Sequence, residues 1–107
     1  MIRGTTPHYT LTIEGYDLTQ MSVYVTIRHK SYKELTLTND RLTISYADDT
    51  SSIEFTLTQE ETLALNEGVG RVQVRFIDAD GDAQATEIAS IQIGPILLEG
   101  EITYEGA

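Results

Sequence analysis

The sequence predicts an all-β fold, an antiparallel sandwich with one core. Three observations predict it. Apolar residues recur at every second position in six stretches, turn-forming clusters separate those stretches at short intervals, and the absence of cysteine leaves only packing and backbone pairing to hold the chain.

The stretches follow in order. Tyr9, Leu11 and Ile13 alternate with Thr10 and Thr12, and Val23, Val25 and Ile27 alternate with Tyr24, Thr26 and Arg28. The same rhythm runs through Leu35 and Leu37, through Leu42, Ile44 and Tyr46, through Ile53, Phe55 and Leu57, and through Val72, Val74 and Phe76. Each predicts a strand with one dry and one wet face, as antiparallel sheets require, and the threonines and β-branched aliphatics add local preference. Turns are predicted at Glu14-Gly15-Tyr16-Asp17, His29-Lys30-Ser31, Thr38-Asn39-Asp40, Asp48-Asp49-Thr50-Ser51, Asp80-Gly81 and Gly94-Pro95. Thr58-Gln59-Glu60-Glu61 reads as a capping box opening one short helix near 59–66, with Leu63 and Leu65 as plugs for the core and Gly68 beyond its end. A lone helix between strands suits a crossing from one sheet to the other. In 83–93 the phase breaks, because Glu87 falls on the face of Ala83, Ala85, Ala89, Ile91 and Ile93 while Ile88 falls on the other; a bulge near Thr86–Ala89 is expected. Ile96-Leu97-Leu98 and Ile102-Tyr104 are apolar but interrupted by glycine and proline, which leaves an edge strand or a tail over 95–107. The expected whole is an immunoglobulin-like antiparallel β-sandwich of about seven strands in a single domain over 1–107, preceded by an extended arm at 1–7.

The length of 107 residues and 40% hydrophobic content suit one core and not two. Seventeen acidic residues against seven basic ones give a net charge of -10, which repels phosphate backbones and anionic membranes, so neither nucleic acid nor membrane is expected as a partner. The surplus keeps a small domain soluble; gathered carboxylates could also imitate DNA, but here they are scattered between strands. No apolar run approaches the ~20 residues that span a bilayer, and residues 1–20 lack the pattern of a signal peptide, so a cytoplasmic location, or one in something assembled there, is expected.

Candidate chemistry is sparse. Ile77-Asp78-Ala79-Asp80-Gly81-Asp82 resembles a calcium loop, with Asp78, Asp80 and Asp82 as candidate ligands. Its glycine stands fourth rather than sixth, however, and the twelfth position is Ala89, so the hairpin reading of Asp80-Gly81 is preferred. His8 and His29 have no second His or Cys at ligand spacing and read as edge or loop residues. The adjacent pairs Asp48-Asp49 and Glu60-Glu61 fit a turn and a helix start better than paired hydrolytic carboxylates. No nucleophile has a base beside it, and no catalytic residue or cofactor is expected. Arg28, Arg71 and Arg75, with Tyr24 and Gln73, fall on outward faces, and if their strands are neighbours they make a docking surface rich in the residues interfaces favour; the plainer reading is a few cations balancing an acidic sheet.

Met1-Ile2-Arg3-Gly4-Thr5-Thr6-Pro7 followed by an alternating strand, then Leu57-Thr58-Gln59-Glu60-Glu61-Thr62, Val72-Gln73-Val74-Arg75 and Ile91-Gln92-Ile93-Gly94, resembles a family of short proteins of phages and prophages that open M-hydrophobic-R-G-T-T-P. The likeness runs in order through nearly the whole chain, which departs from the pattern in its acidic hairpin loops and in Glu99–Ala107. The resemblance implies a non-enzymatic virion or assembly protein of tail or baseplate, found in the particle and in the host cytoplasm during assembly. Its partners would be other phage structural proteins, or further copies of itself. The 1–7 arm, with Arg3, Thr5 and Pro7, could lie across such a neighbour, or it could fold onto its own sheet. Two other functions compete: an acidic inhibitor of a host protein, and a carbohydrate-binding module using Tyr16, Tyr24, Tyr32 and Tyr46.

Overall fold

In a computed structural model that describes residues 1–29 and 34–106, the alternating stretches form eight strands. They are β1 (His8–Glu14), β2 (Ser22–His29), β3 (Glu34–Leu37), β4 (Thr43–Ala47), β5 (Thr50–Thr56), β6 (Gly68–Ile77), β7 (Ala83–Ala85) and β8 (Ala89–Ile93), with helix α1 (Gln59–Ala64) between β5 and β6. β1, β5 and β4 make one antiparallel sheet in that order, and β3, β2, β6 and β7 make the other, where β8 also pairs with β6. The two sheets close over one core, in which Val23, Val25, Ile27, Val74 and Phe76 of one wall meet Ile13, Ile53 and Phe55 of the other. The arrangement is a β-sandwich. The expected turn at Lys30-Ser31, Tyr32 and Ala107 lie outside the described residues.

α1 carries the chain from β5 to β6, and so from one sheet to the other. Thr58 accepts from the Glu61 N–H while the Glu61 carboxylate accepts from the Thr58 N–H, the reciprocal capping box. The helix is shorter than the expected 59–66: Leu65 leaves it with extended backbone and is buried, Thr62 is buried, and Leu63 only half so.

β7 and β8 lie end to end along one edge of β6. Arg75 pairs with Ala85 and Val72 with Ala89, so that two residues of β6 face three, Thr86, Glu87 and Ile88. This is the expected bulge. The Thr86 hydroxyl accepts from the Val74 N–H (3.1 Å) and the Thr86 N–H donates to the Val74 carbonyl (2.9 Å), so a side chain replaces the missing ladder acceptor. The extra residue switches faces: Ala83 and Ala85 pair with the outward Ile77 and Arg75, whereas Ile91 and Ile93 pair with the inward Gly70 and Gly68. The shared parity of these alanines and isoleucines therefore does not mean a shared face, and Ala83, Ala85 and Ala89 are exposed.

The first seven residues fold back on the protein. Ile2 bridges Gly94 in parallel, Gly94 N–H donates to Met1 O (2.7 Å), Arg3 N–H to Gly94 O (3.1 Å) and Leu57 N–H to Pro7 O (3.0 Å). Residues 95–106 form no strand.

Candidate functional site

β2 pairs along its full length with the Gly70–Ile77 part of β6, which places Tyr24 beside Arg75, Thr26 beside Gln73 and Arg28 beside Arg71. All six lie on the face turned away from the core, because the intervening Val23, Val25, Ile27, Val72, Val74 and Phe76 point inward. The strands are neighbours, as the docking surface requires. In the middle row Thr26 shares a hydrogen bond with Thr36 (3.1 Å) and the Gln73 amide donates to the Thr86 carbonyl (2.9 Å). The guanidiniums on either side differ. Of the described arginines, Arg3 and Arg41 are in ion pairs with Glu99 and Glu61, while Arg28, Arg71 and Arg75 have no partner within 4.0 Å among the described residues, although Glu34 stands across from Arg28 on β3. Arg28 and Arg71 are directly opposed like charges, a pairing that destabilises a sheet. A shallow groove runs between Arg28, Glu34, Arg71, Arg75 and the exposed Ile88, and a second lies between Tyr24, Arg75, Ile77 and Ala83.

Arg3, Thr5 and Pro7 are not part of this face. Arg3 donates through Nε to the Leu65 carbonyl (2.8 Å) and through its terminal nitrogens to the Leu63 carbonyl (3.0 Å) and Glu99 (3.1 Å), closing the end of α1. Thr5 O accepts from the Thr62 hydroxyl and Pro7 O from Leu57. Of the two readings of the arm, the geometry is that of a segment on its own sheets.

The Asp78–Asp82 loop is the tip of the β6–β7 hairpin. Gly81 has φ +87° and donates to the Asp78 carbonyl, and Asp78 N–H donates to Asp82 O. Asp78 Oδ1 accepts from the N–H groups of Asp80 and Asp82, both at 3.0 Å, so that oxygen is engaged in the turn. Among the described residues no three acidic or His side chains converge as a metal site. His29, expected at an edge or loop, is buried at the end of β2 with Nε2 3.1 Å from the Glu67 carbonyl, and His8 shares a hydrogen bond with Thr56.

The acids scattered in the sequence are brought together in space. Gly15 N–H donates to Asp49 O, the Ser51 hydroxyl to Tyr16 O, and the Tyr16 ring stands edge-on to Phe76 beside Asp78 and Asp82. Glu14, Asp17, Asp48, Asp49, Asp78, Asp80 and Asp82 thus share one end of the sandwich. Tyr46 there donates to Asp49 Oδ1 (3.3 Å), and desolvation together with the charges of Asp49 and Asp17 raises its pKa. Of the tyrosines, Tyr24 lies on the outer face of one sheet and Tyr46 at the end of the other. Of the two readings of 95–107, an edge strand or a tail, the exposure of Leu97, Leu98, Ile102 and Tyr104 fits the tail; their separation by Gly100 and two glutamates, Glu99 and Glu101, was the available signal.

No protein-family model matches the chain, and no curated protein is similar to it. Among the described residues no helix is long and apolar enough to cross a membrane.

Proposed function

We propose that this protein is a non-enzymatic structural or adaptor module of a phage particle, at the tail or baseplate, that docks on an acidic partner through the outer face of its five-stranded sheet. One observation carries the docking: three guanidiniums without partners among the described residues share one exposed face with Tyr24, which stands beside Arg75, on a protein whose net charge is -10, two of them opposed at a cost to the sheet. The phage setting rests on the resemblance of the opening Met1–Pro7 and the later motifs to phage and prophage proteins. The strand order β1-β5-β4 facing β3-β2-β6-β7 supports an immunoglobulin-like connectivity, a scaffold that serves recognition through its surfaces. The test is incorporation. Wild-type protein is expected in purified particles by mass spectrometry and immunolabelled negative stain, and an Arg71→Glu/Arg75→Glu variant with an unchanged circular dichroism spectrum is expected to be missing. A particle that lacks the wild type, or takes up the variant equally, overturns the reading.

A second reading has its own observation. The seven carboxylates gathered at one end favour an inhibitor that occupies a basic groove of a host protein; such a complex weakens steeply with added salt and is absent from the particle.

A further inference from the structure

We propose that the basic sheet face of one copy receives residues 97–105 of a second copy, laid extended along β6 so that Glu101 and Glu105 pair with Arg71 and Arg75. This rests on the reading of that face as a docking surface and names its partner. The segment is unlike the rest of the surface. Leu97 is fully exposed, and Leu98, Ile102 and Tyr104 are 72%, 60% and 95% exposed, a density of apolar side chains that monomers rarely leave in water. It is held to its own chain at its middle, where the Gln59 side chain donates to the Ile102 carbonyl and accepts from the Ile102 N–H, both at 2.8 Å; these bonds engage the Ile102 backbone and leave the side chains of Glu101 and Glu105 free. Within this chain Glu99 pairs with Arg3, and Glu101 and Glu105 have no ion pair among the described residues.

The match to the face is one of sign and spacing. In an extended chain Leu97, Glu99, Glu101, Thr103 and Glu105 share one row, and Leu98, Ile102 and Tyr104 the other. Four residues separate Glu101 from Glu105, about 13 Å along a strand, and the same four-residue step separates Arg71 from Arg75 on the outer face of β6. A segment lying in the groove along β6 sets its carboxylates against the arginines and its apolar row against Ile88 and Ala83 on the flank beyond β6. The arginines are then neutralised, and Ile102 and Tyr104 leave water. The contact is head-to-tail, face of one copy to tail of the next, which generates rings or filaments rather than a closed pair.

Light scattering on the full chain tests it. Wild-type protein is expected to associate with rising concentration and to dissociate with added salt. Arg71→Glu/Arg75→Glu and, separately, Glu101→Arg/Glu105→Arg are each expected at the monomer mass, and an equimolar mixture of the two is expected to associate again. The tail variant lies outside the core, so its loss of association is not a loss of fold. A wild type that stays monomeric at every soluble concentration, or association that survives either charge reversal, overturns the inference. If the wild type is monomeric while the arginine variant is still excluded from particles, the docking face stands with another acidic partner and the self-contact falls. If copies associate as described but the arginine variant enters particles normally, the particle role of the face fails instead.

Discussion

Glu61 joins two elements through one carboxylate. It closes the capping box at Thr58, takes a two-pronged hydrogen bond from Arg41 (2.9 and 2.8 Å), and so ties α1 to the 3-10 turn at Asn39–Arg41, whose Arg41 also donates to Thr56 O. The hydrogen bond from Arg41, followed by that from the Thr58 backbone, holds the Glu61 carboxyl below the usual glutamate range against the opposing effect of burial. A carboxyl with a depressed folded-state pKa stabilises the fold above its unfolded titration range and loses that contribution as pH falls through its folded value. Urea unfolding from neutral pH down through the carboxylate range is therefore expected to show a smaller loss of stability in Glu61→Gln than in wild type; equal slopes would remove Glu61 from the acid response. Arg3 is the other residue with several roles, and its fork of donors satisfies the orphan carbonyls at the end of α1. Arg3→Ala is expected to lower stability by about 2 kcal/mol, and Arg3→Lys to recover little of it, because a single ammonium cannot reproduce the fork. The capping box was legible in four adjacent residues. The Arg41 and Arg3 contacts were not, because their partners lie 20 and about 60 positions away and come near only after the sandwich closes.

Between strands, the bulge at Thr86–Ile88 shows what a period-two reading can and cannot reach. The conflict of Glu87 and Ile88 with their neighbours located the extra residue, but nothing in the pattern said that a hydroxyl would take over a ladder hydrogen bond. Thr86→Val, of nearly equal shape, leaves the Val74 N–H without that acceptor and is expected to cost about 1–3 kcal/mol, while Thr86→Ser stays near wild type. Chemical denaturation of the pair checks this, and equal losses in both would assign the effect to packing. Gly70 is needed for a different reason: a Cβ there would stand 3.0 Å from Ile93 Cδ1 and 3.2 Å from Ile91 Cγ2, so the glycine lets β8 lay its two isoleucines against β6. The β4–β5 turn bends through Asp48 and Asp49, both with positive φ (53° and 61°), where Asp-Gly is the favoured pair. Asp49→Gly is expected to raise stability by up to about 1 kcal/mol in the same assay, the relief of the left-handed strain exceeding the loss of the Tyr46 contact. The apolar 96–104 stretch left an edge strand or a tail open, and residues 95–106 form no strand; apolar composition alone cannot say whether a partner strand is in reach.

Charge is distributed over the whole molecule in a way the chain order concealed. The end of β1 and the loops after β1, β4 and β6 carry seven carboxylates to one end, while three arginines without partners among the described residues sit on one sheet face. Crowded like charges oppose the folded state, and added salt screens them within about 10 Å at moderate ionic strength. Tm is expected to rise when sodium chloride is added to dilute buffer, and a flat or falling Tm would mean that this end is not under repulsive stress. The sandwich class was readable because one face of each strand must be dry, whereas the meeting of distant loops depends on which strands become neighbours. The segment from Met1 to Pro7 spans the two walls, bonded to Gly94 beyond β8 and to Leu57 beyond β5. It acts as a strap, and the walls cannot part while it holds. The backbone amides of Arg3, Leu57 and Gly94 should thus take up deuterium as slowly as those in the middle of β6, reporting opening of the entire sandwich instead of fraying at a chain end.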